Sequence, residues 1–130
     1  MVSRTCCNAP SGQVLLAVRQ FNNQQWYDCH ETLEPLWMTE NGELRDFYQG
    51  LIQLAIGLHH WRNGNYNGAI ALLTGSISYL ENSSSPCQWI DVRGLIAQIR
   101  QFQDDLGRLG AEKMHEVDQM QLPKLLTVTA

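Results

Sequence analysis

The polar residues that could form a site lie on two consecutive predicted helices. His30 and Glu34 are four residues apart, which places them on one face of the first helix. Gln49, Gln53 and His60 fall together on one side of the second helix at about 100° per residue. Two imidazoles, one carboxylate and two amides could hold a divalent metal ion, because imidazole suits zinc, nickel and iron. The same groups could bind a small polar ligand, or form a buried hydrogen-bond network that fixes the register of the helices.

The same polar residues could also catalyse a reaction. In a metal-assisted hydrolase, His30 and His60 would bind the metal, and Glu34 would be a third ligand or the base that activates water. No HExxH motif supports this alternative, since no second histidine follows His30-Glu31 at the required spacing. We therefore expect a non-catalytic ligand-binding or scaffold protein, with the hydrolase as one alternative. The other alternative is a protein–protein interaction module that uses the aromatic helix corners and the chain after Met114.

Four neighbouring residues are secondary candidates for the same site: Glu31, Trp37, Arg45 and Asp46. The glutamate points farther outward and is expected in solvent near the amino end of its helix, where negative charge is favourable. The tryptophan could line a pocket wall or belong to the core. The arginine and the aspartate could pair with Glu34, although exposed ion pairs contribute little. His59 is turned about 100° from His60, so the two imidazoles cannot act as a chelate on one helix face.

Five segments with helical apolar periodicity must position these residues. They span about 12–21, 26–38, 44–62, 66–80 and 90–109. Pro35 lies inside the second segment and removes a backbone hydrogen bond toward Glu31, which predicts a kink or an early end. From Phe47 to Trp61 the third segment has no charged residue. We therefore expect protein on all sides of it, with its polar side chains paired to the helix before it.

One helix corner is repeated within the chain. FNNQQWYDCHETL, from Phe21, is similar to WRNGNYNGAIALL, from Trp61, with an offset of 40 residues. In each copy an aromatic residue ends one helix, a short polar turn follows, and an aromatic and a small residue open the next. The second copy contains the predicted corner residues Gly64, Asn65, Gly68 and Ala69. Chance similarity is one explanation; the other, which we favour, is two stacked helical hairpins closed by a fifth helix.

The composition limits the class of protein. With 130 residues and 44% hydrophobic content, the chain predicts a single all-α domain, 1–130, with a core from 11 to 109. The flanks 1–10 and 115–130 are expected as tails, the second of them extended. The balance of 13 acidic and 9 basic residues gives a net charge of −4 and no electrostatic footprint for nucleic acid. Sparse charge and an uncovered helix face also favour a homodimer.

The compartment is expected to be cytoplasmic. The first residues contain no apolar run that resembles the centre of a signal peptide, and no segment is long and apolar enough to cross a membrane. Of the four cysteines, Cys29 is expected as a buried apolar residue, and Cys6 and Cys7 as exposed thiols. A core of this size does not require a disulfide.

These segments resemble a known family. FNNQQWYDCHETLEPLW and FYQGLIQLAIGLHHWRNGNYNGAIALL are similar to the family catalogued as domain of unknown function 309, over roughly Val14 to Leu80. The resemblance rests on an aromatic residue, a His-Glu pair, Leu-Glu, a tryptophan, QGLIQ and a GN-x-x-GA corner. It implies a small all-helical protein without an assigned biochemical activity. Pro35 departs from the helix-favouring residue that the family pattern implies, which affects the orientation of Glu31 relative to Glu34.

Overall fold

The computed structural model describes residues 5–128, and most of them form five α-helices. In chain order these are α1 (Gly12–Asn22), α2 (Trp26–Thr39), α3 (Gly42–Arg62), α4 (Tyr66–Leu80) and α5 (Val92–Leu109). Two 3₁₀ turns follow, Met114–Glu116 and Gln119–Gln121. Residues 5–128 contain isolated β-bridges but no strand. The all-α prediction is confirmed, and every predicted helix end lies within two residues of the observed one.

Helices that follow one another in the chain are neighbours in space. α1 packs on α2, α2 on α3, α3 on α4, and α4 on α5. This order agrees with two helical hairpins, α1–α2 and α3–α4, followed by a closing helix. α3 is the longest helix and lies between α2 and α4, and ten of its residues are buried. The core is therefore organised around α3. No helix in the described range 5–128 has both the length and the apolar character needed to span a bilayer.

α3 and α4 approach each other closely at two glycines of α3. A Cβ atom added to Gly50 would lie 2.6 Å from Cγ of Leu80, and one added to Gly57 would lie 3.4 Å from Cβ of Leu72. The buried Ser76 hydroxyl donates a hydrogen bond of 2.7 Å to the Gly50 carbonyl. A larger residue at position 50 would force the helices apart. Gly50 and Gly57 therefore determine which side of α3 is turned toward α4.

The two corners of the internal repeat have the same backbone hydrogen bonds. The amides of residues 23–25 donate to the carbonyls four, three and five residues earlier. The amides of residues 63–65 do the same, in the same order. In the second corner the Asn65 side chain accepts a hydrogen bond from the Gly68 amide and caps α4, and Ala69 is fully buried behind it. The two similar segments thus share one turn geometry.

Pro35 does not end α2, because the helix continues to Thr39. Of the two effects predicted for Pro35, a kink or an early end, the early end does not occur, and the reason is local. The carbonyl that loses its intrahelical hydrogen bond belongs to Glu31, and both Glu31 and Pro35 are exposed, so water can bond the freed oxygen. Near the end of the helix, the Thr39 hydroxyl donates to the carbonyls of Pro35 and Leu36 at 3.3 Å.

The chain after α5 returns to the core instead of forming only an extended tail. Its buried apolar side chains belong to the same hydrophobic cluster as the helices: Met114, Val117, Leu122 and Leu125. The Trp61 indole donates a hydrogen bond of 2.8 Å to the Met114 carbonyl. The Asn22 side chain bonds both the amide and the carbonyl of Leu125. This segment therefore covers the end of the bundle where α1 and α3 finish.

A disulfide joins Cys6 to Cys87, across 81 positions of sequence. Both cysteines are buried, and the Gln88 side chain and amide donate hydrogen bonds to the carbonyls of Thr5 and Cys6. The expectation that Cys6 is an exposed thiol is wrong, because its partner is distant in sequence. Cys7 is a free, exposed cysteine as expected. Cys29 is also free and is fully buried, as predicted, and this burial raises its pKa to about 12.

The disulfide predicts a measurable loss of stability on its removal. Cys87→Ser should lower the free energy of unfolding of the oxidised protein by about 2–5 kcal/mol, because the unfolded chain loses a constraint on a long loop. Cys7→Ser is the matched control and should change it by less than about 0.5 kcal/mol. Urea unfolding measures both variants. A thiol reductant should destabilise the wild type and leave Cys87→Ser unchanged; equal effects would contradict the crosslink.

The equivalent corner residues Gln24 and Gly64 predict opposite responses to substitution. Both have positive φ, 62° and 82°, a conformation that costs a side-chain-bearing residue about 1–2 kcal/mol. Gly64→Ala should therefore lower the free energy of unfolding by about 1 kcal/mol. Gln24→Gly should raise it by up to about 1 kcal/mol, since relief of strain exceeds the added chain entropy. Urea unfolding checks both, and destabilisation of similar size in both variants would contradict the shared geometry.

Candidate functional site

The hydrogen bonds expected between α2 and α3 are not formed among residues 5–128. The Gln53 amide lies against Gly75 of α4, and Nδ1 of His60 lies 3.3 Å from Nδ2 of Asn65 at the α3–α4 corner. Both side chains are turned toward α4, because they fall near Gly50 and Gly57 around the helix. Gln49 is half-buried on the same side of α3. The five predicted site residues are thus divided: His30 and Glu34 lie together on α2, Gln53 and His60 are directed toward α4, and Gln49 is half-buried on α3.

His30 is held in one orientation by its own helix. Its Nδ1 lies 2.9 Å from the Tyr27 carbonyl oxygen, so this nitrogen carries the hydrogen and donates it. The other nitrogen, Nε2, then faces Oε2 of Glu34 at 3.4 Å. The His30 side chain is 19% exposed and that of Glu34 is 51% exposed. The two residues share one face of α2, as predicted from the spacing, and their solvated position makes them a weak ion pair when the histidine is protonated.

His59, which lay outside the predicted site, is the histidine of α3 that meets α2. Its ring packs on the Tyr27 ring, with the two ring centroids 5.4 Å apart. The Tyr27 ring also packs on the His30 ring, with centroids 4.9 Å apart. The tyrosine ring therefore contacts both imidazoles. The sequence reasoning considered only a chelate with His60 and overlooked that α2 passes on the other side. The spacing does contain a signal for this position. His59 is fourteen residues, about four helical turns, after Arg45, so both lie on the same face of α3, and Arg45 was expected to meet Glu34 of α2.

His59 is held as a neutral imidazole. Its Nε2 lies 3.1 Å from the Asn63 amide nitrogen, which donates to it, and its Nδ1 is buried without a hydrogen-bond partner within residues 5–128. Burial lowers the pKa of His59, and the positive charges of Arg62, His60 and His30 lower it further. A neutral ring can accept or donate a hydrogen bond at neutral pH, but it contributes no charge.

Two arginines of α3 lie over tryptophans of α2. The Arg45 guanidinium is 4.6 Å from the ring centre of Trp37, and that of Arg62 is 4.5 Å from Trp26. Arg45 was expected to pair with Glu34, but the flat guanidinium covers the indole instead, an arrangement that suits its weak hydration. These two cation–π contacts join both ends of α3 to α2.

Of the remaining secondary candidates, Trp37 takes part in one of these cation–π contacts, whereas Asp46 and Glu31 take part in neither. Asp46 is half-buried, and the pairing with Glu34 considered for it is excluded because both side chains are carboxylates. Glu31 is exposed, in agreement with the outward direction expected for it. Trp37 is partly buried and packs against the hydrophobic core. None of the three therefore extends the contact between His30 and Glu34.

A metal centre is not supported by the positions of the acidic, cysteine and histidine side chains. No group of three or more of them in residues 5–128 is arranged to hold a metal ion. The two predicted ligands are separated, because His30 lies beside Glu34 on α2 and His60 beside Asn65 at the corner. The metal-assisted hydrolase consequently lacks the geometry that would support it.

α3 presents an uncharged outer side, which we call the outer strip. Its residues are half-buried rather than enclosed: Gln49, Ile52, Gln53, Ile56, His59 and His60. The expectation that α3 is surrounded on all sides is therefore wrong, because α2 and α4 flank the helix and leave this side between them. Two clefts larger than 400 Å³ lie elsewhere, one beside Glu40 and one between α5 and the 3₁₀ turns. The residues of the outer strip line neither of these two clefts.

Comparison with known proteins agrees with the predicted resemblance. The model of the family described as Domain of unknown function (DUF309) matches residues 14–72, from α1 to the middle of α4. An uncharacterized protein YpuF of Bacillus subtilis (strain 168) is 33% identical over 73 residues, which are 55% of this chain and 42% of YpuF. An uncharacterized protein of Aquifex aeolicus (strain VF5) is 41% identical over 46 residues, 35% of this chain and 14% of that protein. The chain thus spans less than half the length of these relatives, and neither name states an activity.

The environment of His59 predicts an unusual titration. Its ring should titrate below the ordinary value of 6.5 in the folded protein, and Arg62→Gln should raise the midpoint without restoring 6.5, because burial is the main cause. Arg93→Gln, on α5, is the charge-matched control and should leave the midpoint unchanged. Proton NMR of the histidine ring signals measures all three proteins.

The same shift has a consequence for stability. Since the pKa of His59 is lower in the folded state, the unfolded chain binds the proton first as the pH falls. The contribution of His59 to stability is therefore complete above about pH 6.5 and declines as the pH falls through that value toward the folded-state pKa. A His59 midpoint at or above 6.5 in the folded wild type would contradict this assignment.

Proposed function

We propose that this chain, which matches a family of unassigned function over residues 14–72, is a non-catalytic scaffold that associates through the outer strip of α3. The observation that carries the proposal is the absence of charge from Phe47 to Trp61 on a helix whose outer side is only half-buried. A helix face that stays in water normally carries charged residues. An uncharged, partly apolar face is instead the composition found at the centre of protein interfaces.

The partner that the charges favour is a second copy of the chain. α2 exposes three carboxylates and contains no lysine or arginine: Asp28, Glu31 and Glu34. The ends of α3 carry Arg45 and Arg62, both exposed. A two-fold interface uses the same surface on both copies. Carboxylates of α2 from one copy would then face arginines of α3 from the other, around a centre formed by Ile52 and Ile56.

The other functions considered from the sequence have less support. The hydrolase requires ligands that residues 5–128 do not bring together, as described above. A small-ligand pocket between His30 and His60 requires the two to converge, whereas His30 contacts Tyr27 and Glu34 of its own helix and His60 lies beside Asn65 at the α3–α4 corner. In the two relatives, the segment that is similar to this chain is one part of a longer protein. An interaction module is expected to occur in this way, beside other segments of a longer chain.

Self-association of the purified protein tests this proposal. Sedimentation equilibrium should show a species of twice 14.8 kDa that dissociates on dilution. Ile56→Glu should raise the dissociation constant at least tenfold, because it places a charge in the centre of the interface. Leu16→Glu, at an exposed leucine of α1, is the control and should leave the constant unchanged. Circular dichroism should show that both variants keep their helical content.

Salt dependence provides a second measurement. If arginines and carboxylates pair across the interface, raising the ionic strength should weaken association, because exposed charges are screened over about 10 Å at 0.1 M salt. A wild-type protein that stays monomeric up to ~1 mM, the concentration corresponding to about −4 kcal/mol of association, would overturn the proposal. Equal weakening by Ile56→Glu and Leu16→Glu would place the interface somewhere other than α3.

A further inference from the structure

The Cys6–Cys87 disulfide lies beside a third cysteine, which is free. Cys7 follows Cys6 directly in the sequence, and it is exposed. Cys6 and Cys7 line the same cleft, of about 340 Å³, at the end of the fold where residues 81–91 meet residues 126–128. We call Cys6, Cys7 and Cys87 the cysteine cluster. It shares no residue with the outer strip of α3, so it is separate from the proposed scaffold surface.

Cys7 is close enough to Cys87 to take the place of Cys6. The Cα atoms of Cys6 and Cys87 are 4.1 Å apart. Consecutive Cα atoms are about 3.8 Å apart, so the Cα atoms of Cys7 and Cys87 cannot be farther than about 8 Å from each other. Most disulfides join Cα atoms that are about 4.4–6.8 Å apart. A small shift of the turn that carries Cys7 therefore brings a second pairing within range.

The turn that carries Cys7 is attached to the rest of the protein at few points. Its internal hydrogen bonds connect Thr5 with Cys7 and Asn8. Among the described residues, its hydrogen bonds to the rest of the chain all come from one residue. The Gln88 amide donates to the Cys6 carbonyl, and the Gln88 side chain donates to the Thr5 carbonyl, at 2.8 Å each. The turn can therefore shift as a unit without breaking its internal hydrogen bonds.

The loop that carries Cys87 has an unfavourable conformation directly after the disulfide. Gln88 and Trp89 have φ values of 48° and 67°, in the left-handed region that residues with a side chain rarely adopt. Gln88 is also 1% exposed, and its Oε1 atom is buried without a hydrogen-bond partner within residues 5–128. Both features oppose the present conformation of this loop. A change in the pairing of Cys87 would allow the loop to relax.

We propose that the cysteine cluster is a thiol–disulfide switch, in which the disulfide passes from Cys6–Cys87 to Cys7–Cys87. The Cys7 thiolate attacks Sγ of Cys87, a new S–S bond forms as the old one breaks, and Cys6 leaves as a thiolate. The proton that Cys7 loses to water is returned to Cys6. One thiol and one disulfide are present before and after the exchange, so no oxidant or reductant is required.

The switch acts on the last residues of the described chain. The Val128 amide donates to the Trp89 carbonyl at 2.6 Å, and the Asp91 amide donates to the Leu126 carbonyl at 3.0 Å. Both hydrogen bonds involve the loop that follows Cys87. When the loop relaxes, these two amides should exchange with deuterium faster than they do in the Cys6–Cys87 form.

Differential alkylation of the wild-type protein tests the proposal. The oxidised protein is kept at about pH 8.5, where an exposed thiol is partly ionised, and in parallel at about pH 5. N-ethylmaleimide in denaturant then marks the free thiols, and iodoacetamide marks the cysteines that a later reduction releases. Fragment-ion mass spectrometry distinguishes Cys6 from Cys7. The fraction of chains with N-ethylmaleimide on Cys6 should be at least tenfold higher after incubation at the higher pH.

Two serine variants identify the exchanging residues. Cys6→Ser, oxidised in a glutathione buffer, should form the Cys7–Cys87 disulfide, and its Val128 amide should exchange faster than in the matched variant Cys7→Ser. Cys7→Ser should keep the Cys6–Cys87 disulfide at both pH values. A wild-type Cys6 that is never labelled, a free Cys87 thiol in oxidised Cys6→Ser, or a labelled fraction that rises with protein concentration would each overturn the proposal. The scaffold proposal does not depend on these outcomes, because it is tested by the mass of the particle.

Discussion

The close approach of α4 to Gly50 and Gly57 is the constraint on which the arrangement of this protein depends. It fixes the rotation of α3 about its axis, and every other side chain of α3 follows from that rotation. Gln53 and His60 are turned toward α4, while His59 is turned toward α2. One uncharged side is left without a covering helix in the described chain. If α3 were rotated about its axis by one residue, a different set of its polar groups would face α2 and α4.

The helices and their corners could be predicted because their causes are local. Apolar periodicity located all five helices, and the repeated corner from Phe21 and from Trp61 indicated a turn whose hydrogen bonds the structure shows to be the same in both copies. Pro35 shows the limit of such local reasoning. The rule that proline disrupts a helix is correct for one hydrogen bond, but that bond lies on the exposed side of α2, where water replaces it.

The parts that could not be predicted depend on groups that are distant in sequence. Cys6 and Cys87 are 81 residues apart, and Trp61 is 53 residues from Met114, whose carbonyl it meets. Periodicity contains no signal for either contact. The neighbours of the α3 histidines could not be predicted for a related reason. The spacing correctly placed His30 and Glu34 on one face of α2, since both lie on one helix, whereas the choice between His59 and His60 required knowledge of the side on which α2 passes.

Some buried polar side-chain atoms of the described chain have no hydrogen-bond partner, and these atoms show which interactions the fold leaves incomplete. Four buried side-chain polar atoms within residues 5–128 have no hydrogen-bond partner, on Trp26, Glu40, His59 and Gln88. Three of these side chains are uncharged when the imidazole is neutral, and leaving such a group unpaired costs about 1–3 kcal/mol. The Glu40 carboxylate differs, because the residue is only half-buried and its charge is shared with its second oxygen, Oε1, so one unpaired oxygen does not amount to a buried charge.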